Sequence, residues 1–162
     1  MTKKICYIGM LTALYVVFSA FFKVNLIGNI MLDFGYIVFA IALCQFGPLG
    51  AVVGIAGCAL ESVLFSAYGF SFSWTVANTI IGVGCGICFV RVKRNVFRIL
   101  IMAAFSALGL LFAKTIIECN LYNIPLSVKL PKNSVAFAAD SLMMGIGILI
   151  NQRINKAIRS EE

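Results

Sequence analysis

The chain has 162 residues, 62% of them hydrophobic and 12% charged, with a net charge of +7 and a mean hydropathy of +1.03. A soluble domain is about 45–50% apolar and about 25% charged, and a globule this small cannot hide the excess, so the remainder faces lipid. The absence of histidine removes the commonest general base and metal ligand, and with them zinc hydrolases and Ser/His or Cys/His nucleophiles. The composition reads as an all-α integral membrane protein and not an enzyme.

A bilayer core of about 30 Å asks for about 20 residues per helix, and the apolar runs supply six candidates. The first, about residues 5–22, follows Lys3 and Lys4 and runs on into Phe21, Phe22 and Lys23 without a small-residue cleavage site, so it reads as a retained span. Its Gly9-xxx-Ala13 pair either packs on a neighbouring helix or faces a separate membrane partner. A short second span runs from about residue 29 or 34 to 46 and ends at Gly47-Pro48, because proline lacks an N–H and restricts the residue before it. The third, about 49–68, carries Gly50, Gly54 and Gly57 at close-packing spacing.

The fourth span, about 73–90, holds Gly82, Gly84 and Gly86, which lack the strand and the acidic residue of a nucleotide fingerprint and read as helix packing. Its Cys85-Gly-Ile-Cys88 has the spacing of a redox or metal pair, but five of the six cysteines lie in or beside apolar runs, where a free thiol is a small hydrophobe. The fifth span is about 96–119 and the sixth about 134–152, the latter with Gly145 and Gly147. Between them, residues 120–133 with Pro125 and Pro131 read as the longest outer loop, of a length suited to binding. All six spans are expected as helices, since unpaired backbone is too costly in lipid and no run alternates as a barrel strand does.

Nine of the thirteen cations lie in three short regions: Lys3 and Lys4; Arg91, Lys93, Arg94 and Arg98; and Arg153, Lys156 and Arg159. Six spans put these regions on one side, which the positive-inside rule makes cytoplasmic, so both termini are expected inside. Topology thus accounts for the basic balance, and the scattered cations without interleaved aromatics argue against nucleic acid. Residues 1–162 read as a single transmembrane domain with no soluble part.

Polar residues at matched depth mark a candidate site. Counting about 1.5 Å per residue, Glu61, Asn78, Asp140 and Lys114 each lie about 8–10 Å inside the outer end of their helix. With Tyr36, Tyr68, Ser71, Ser73, Trp74 and Tyr122 at the same mouth, they describe a concave, apolar-walled site with convergent polar groups. Intramembrane charges either serve such a site or pair with one another. A Lys114–Asp140 or Lys114–Glu61 pair would fix helix registry and leave one carboxylate over for a ligand. Trp74 reads either as an interface anchor or as a stacking platform.

Four stretches carry a family resemblance: Leu11-Thr-Ala-Leu-Tyr-Val-Val-Phe-Ser19, Met31-Leu-Asp-Phe-Gly-Tyr-Ile37, Phe46-Gly-Pro-Leu-Gly-Ala-Val-Val-Gly54, and Phe72-Ser-Trp-Thr-Val-Ala-Asn78 followed by Ile81-Gly82. The chain resembles the substrate-binding S components of energy-coupling factor (ECF) vitamin transporters, most specifically in the Gly-Pro-x-x-Gly turn into the third helix. The resemblance implies a six-helix fold in a prokaryotic plasma membrane that captures a vitamin or related micronutrient outside. It also implies docking on a transmembrane coupling protein and two cytoplasmic ATPases that hydrolyse the ATP, with no cofactor on this chain.

Gly9 and Ala13 match the family's Ala-xxx-Ala docking patch, and residues 23–33 with Asp33 match its lid. The resulting substrate-binding set is Asp33, Tyr36, Glu61, Tyr68, Ser73, Trp74, Asn78, Lys114 and Asp140. Gly69-Phe-Ser-Phe-Ser-Trp74 departs from the folate-type members, and a single intramembrane lysine, Lys114, suits a neutral or weakly cationic heteroaromatic vitamin better than a dianion. The competing expectation is a membrane scaffold or assembly protein whose polar groups only hold helices together.

Overall fold

The computed structural model describes residues 2–27, 30–65 and 69–161. Helix α1 (Thr2–Phe21) leads into an antiparallel hairpin of β1 (Lys23–Ile27) and β2 (Ile30–Asp33), and α2 (Gly35–Phe46) follows. The hairpin pairs Lys23 with Asp33 and Val24 with Leu32, with an irregularity between Asn25 and Ile27. The described residues of the segment expected as a lid loop, 23–27 and 30–33, therefore pair their backbones in a small ladder.

After α2, Gly47 takes a φ of 56°, a conformation open to glycine without steric cost. Pro48 then starts the 3-10 turn Gly47–Gly50 that leads into α3 (Ala51–Phe65). A Cβ on Gly54 would strike the Phe39 ring and one on Gly50 the carbonyl of Ala42, so α3 runs back along α2. Glycine spacing allows the same close approach elsewhere. An added Cβ on Gly86 would sit 2.7 Å from Pro48 Cα, and one on Gly147 2.9 Å from Ala40 Cβ. Gly145 and Gly9, by contrast, face open space.

Helix α4 (Phe72–Arg91) lies between α3 and the next rod, Asn95–Tyr122. That rod is α5 (Asn95–Ser106), a π-helical stretch Ala107–Lys114, and α6 (Thr115–Tyr122). The last helix, α7, runs from Leu126 to Glu161 with Pro131 inside it. The outer loop expected over residues 120–133 is thus corrected to helix, except for residues 123–125. Asn123 turns the chain at a φ of 50°, Pro125 accepts the first backbone bonds from Val128 and Lys129, and Pro131 falls in the second turn, where its missing N–H leaves out the bond to the carbonyl four residues back. Pro125 thus stands just before a helix start, and Pro131, which also reads as loop in the sequence, lies inside that helix.

Among the described residues, five stretches are long and apolar enough to cross a membrane: Thr2–Phe21, Gly35–Phe65, Phe72–Arg91, Asn95–Tyr122 and Leu126–Ile158. The second of them is the α2–α3 pair, which doubles back at Gly47. The core is built where α1, α2 and α3 meet: Tyr15, Tyr36 and Phe39 pack with ring centroids 6.3–6.4 Å apart, and Leu43, Ile81, Leu110 and Met144 continue it. The exterior is apolar as well, with Ile5, Met10, Val90, Phe112 and Leu142 all exposed, the inverse of a soluble surface. Gly9 and Ala13 lie on the exposed side of α1.

Candidate functional site

One end of the bundle gathers the termini of several helices around a cavity of about 270 Å³, close to the smaller members of the small-molecule class. Its wall is aromatic where Tyr15 of α1, Tyr36 of α2 and Trp74 of α4 face it, and polar elsewhere. Three lysines, Lys114, Lys129 and Lys132, oppose four carboxylates, Asp33, Glu61, Glu118 and Asp140. Every acidic residue of the chain before Glu161 lines this cavity.

Glu118 is the centre of the polar wall. Its carboxylate lies 3.0 Å from Lys129 Nζ and 3.6 Å from Lys114 Nζ, accepts a bond from Ser73 Oγ at 3.3 Å, and meets Asn133 Nδ2 at 3.5 Å. Lys114 Nζ also donates to Asn133 Oδ1 at 2.9 Å and sits 3.7 Å from the Trp74 ring centroid. Asn133 Nδ2 completes the circuit with Thr115 Oγ1 at 2.9 Å. A buried ammonium is thus held by a carboxylate, an amide oxygen and a π face, the pairing that a low-dielectric site requires.

Local backbone explains why Lys114 and Glu118 both face inward. The π-helical stretch ends at Lys114, and Thr115 Oγ1 bonds Leu110 O, five residues back, at 3.3 Å. A π turn takes more residues than an α turn, which re-aims the side chains that follow, and such insertions are frequent at functional sites. On the opposite wall, Asp33 accepts from Ser19 Oγ on α1 and from Gly35 N–H at 2.8 Å. It thereby ties the hairpin's end to α1 and to the start of α2.

Among the residues expected from the sequence, Asp33, Tyr36, Glu61, Trp74, Lys114 and Asp140 line the cavity together. Asn78 and Ser73 do not line it. Asn78 is fully buried behind Tyr36, whose hydroxyl donates to its Oδ1 at 3.1 Å, and Ser73 is buried against Glu118. Tyr68 lies outside the described residues. Of the other mouth residues, Ser71 lines the cavity, and Tyr122 is exposed with its ring 5.8 Å from Lys129 Nζ. The expected Lys114–Asp140 or Lys114–Glu61 pair gives way to Lys114–Glu118, because a residue four positions on lies on the same helix face.

The expectation of a single site lysine is corrected to three, since Lys129 and Lys132 ride on the first turns of α7. Sequence reasoning also passed over Tyr15, Cys58, Ser62, Glu118 and Asn133. Glu118 carried a usable signal, a carboxylate one turn after an intramembrane lysine.

The sequence model of the family described as "ECF-type riboflavin transporter, S component" matches residues 1–157. The chain belongs to this family of ECF S components. Its members are transporter subunits, not enzymes. The fold agrees with two solved structures. The S component for biotin from an ECF-type ABC transporter aligns over 96% of this chain and 92% of its own at a TM-score of 0.70 and 17% identity. FolT bound with folic acid aligns over 87% and 88% at 0.68 and 19%. Identities this low establish a shared fold. In this S component, the cavity sits where the ends of α2, α3, α4, α6 and α7 converge.

Proposed function

We propose that this S component captures riboflavin or a close flavin for an ECF-type uptake transporter. The observation that carries the reading is the cavity with aromatic and hydrogen-bonding walls, in a chain matched over residues 1–157 by the riboflavin S-component family. A flavin is a flat, neutral heteroaromatic ring with a polyol tail. Tyr15, Tyr36 and Trp74 offer the ring apolar surface, while Asp33, Glu61, Lys114, Asn133 and Asp140 offer the ring edge and the hydroxyls donors and acceptors. Ser73 and Asn78 act from behind, by holding Glu118 and Tyr36.

In this reading the α2–α3 hairpin makes two crossings, which gives six in all, with the cavity outside and both termini inside a prokaryotic plasma membrane. The nine cations of the terminal and α4–α5 regions then lie at the cytoplasmic end. Gly9 and Ala13, exposed on α1, form the docking face for a transmembrane coupling protein, since small residues let helices approach closely in lipid. The ATP is hydrolysed by two partner ATPases, and this chain carries no cofactor.

Fluorescence titration of riboflavin with the purified protein tests the substrate, because an isoalloxazine ring loses emission when stacked against Trp or Tyr. Saturable quenching with one flavin per chain supports the reading. A response to biotin or folate in thermal-shift measurements, with none to riboflavin, refutes it.

A further inference from the structure

At the end opposite the cavity, a groove of about 680 Å³ opens between the α4–α5 turn and the last turns of α7. It is lined by Lys93, Arg94, Arg98 and Lys156, and among the described residues no carboxylate lines it. Arg98 is already committed. Its guanidinium donates to Val92 O at 2.8 Å and Phe89 O at 3.3 Å and stacks on the Phe89 ring, so it closes the end of α4. Lys93, Arg94 and Lys156 are exposed and make no salt bridge with a described carboxylate. Three cations therefore converge on one space with their charge uncompensated, an arrangement that costs self-repulsion unless an anion joins it.

The apolar part of the lining identifies the anion's source. Val96 is 69% exposed and Leu149 51% exposed, and both line the same groove, so the cations border a surface that continues onto the apolar exterior. A soluble anion gains nothing from that surface, whereas a diacyl lipid can set its phosphate among the cations and lay a chain along Val96 and Leu149. We infer that the groove between the α4–α5 turn and α7 is a binding site for the headgroup of an anionic phospholipid, held by Lys93, Arg94 and Lys156. Basic pockets between helices at the membrane boundary are suited to such headgroups.

Native mass spectrometry of the full chain, released from micelles containing equal phosphatidylglycerol and phosphatidylcholine, tests the assignment. The wild type is expected to retain phosphatidylglycerol preferentially. Lys93→Gln, Arg94→Gln and Lys156→Gln should each weaken that preference about five-fold, and the triple change should abolish it. The three side chains are exposed and unbridged, so helical content and thermal stability should be unchanged, which keeps the comparison clean. A Lys3→Gln/Lys4→Gln variant lowers net charge at the same end but leaves the groove intact, and it should keep the preference.

Equal retention of the two lipids by the wild type overturns the proposal. So does an equal loss in the Lys3/Lys4 variant, which would reduce the effect to net charge. Displacement by soluble glycerol phosphate at the same concentration as lipid would make the groove a free-anion site and also overturn it.

Discussion

Glu118→Gln is the sharpest test of the polar wall, because one atom change removes the carboxylate that serves both Lys114 and Lys129. Breaking one partner of a buried ion pair costs about 3–5 kcal/mol. Two features reduce that figure here. Lys129 has a side chain 18% exposed, so water takes over part of its pairing. Lys114, whose side chain is 5% exposed, keeps the Asn133 bond and the Trp74 ring, the latter worth about 2 kcal/mol when desolvated. The net loss expected is roughly 2–3 kcal/mol, which for a chain of this size lowers Tm by roughly 4–12 °C.

Thermal unfolding of the detergent-purified protein measures it. Adding Lys114→Met should recover stability to within about 1 kcal/mol of wild type, since removing a whole buried pair is close to neutral where removing half is not. An unchanged Tm for Glu118→Gln, or a double variant as unstable as the sum of the singles, would refute this account of the wall.

Tyr36→Phe deletes the donor to Asn78 Oδ1 and leaves a buried acceptor unmet, at about 1–3 kcal/mol, read as a lower Tm. Trp74→Leu removes the ring beneath Lys114 and one aromatic wall of the cavity, so flavin affinity measured by fluorescence should fall at least about ten-fold, near 1.4 kcal/mol. Gly86→Val drives side-chain atoms into Pro48 and should cost about 1–3 kcal/mol by overpacking, seen in thermal unfolding. Gly9→Val meets nothing within 4 Å and should leave flavin binding intact while reducing co-purification with the coupling protein; undiminished co-purification would move the docking face elsewhere.

Much of the architecture is legible in the sequence because lipid imposes simple demands. Apolar runs, the Gly47-Pro48 break and the clustering of nine cations away from the polar residues are composition effects, and the helices follow them closely. The small-residue spacing separates into glycines that meet a neighbour, such as Gly54, Gly86 and Gly147, and Gly9, which does not. The cavity was only partly legible. Depth counting assumes uniform α-helix, and the π-helical stretch Ala107–Lys114 breaks that assumption just where Lys114 and Glu118 are positioned. Pro125 and Pro131 look like loop markers because proline interrupts the helical ladder, yet Pro125 stands just before α7 and Pro131 is carried inside it at the loss of one bond. Reading them as loop hid Lys129, Lys132 and Asn133, which enter the site only once α7 begins at Leu126. Asn78 and Ser73 have the chemistry of ligand contacts, yet only the fold shows them bracing other side chains.

The span of α7 has a mechanical consequence. Lys132 of the cavity and Lys156 of the basic groove are carried on one helix that no proline interrupts between them, at a separation of about 36 Å. A rod of that length tilted by about 10° about one end carries the other through roughly 6 Å. Any rocking of α7 about its cavity end would therefore swing the basic groove as well, because Lys132 and Lys156 share a single stiff helix.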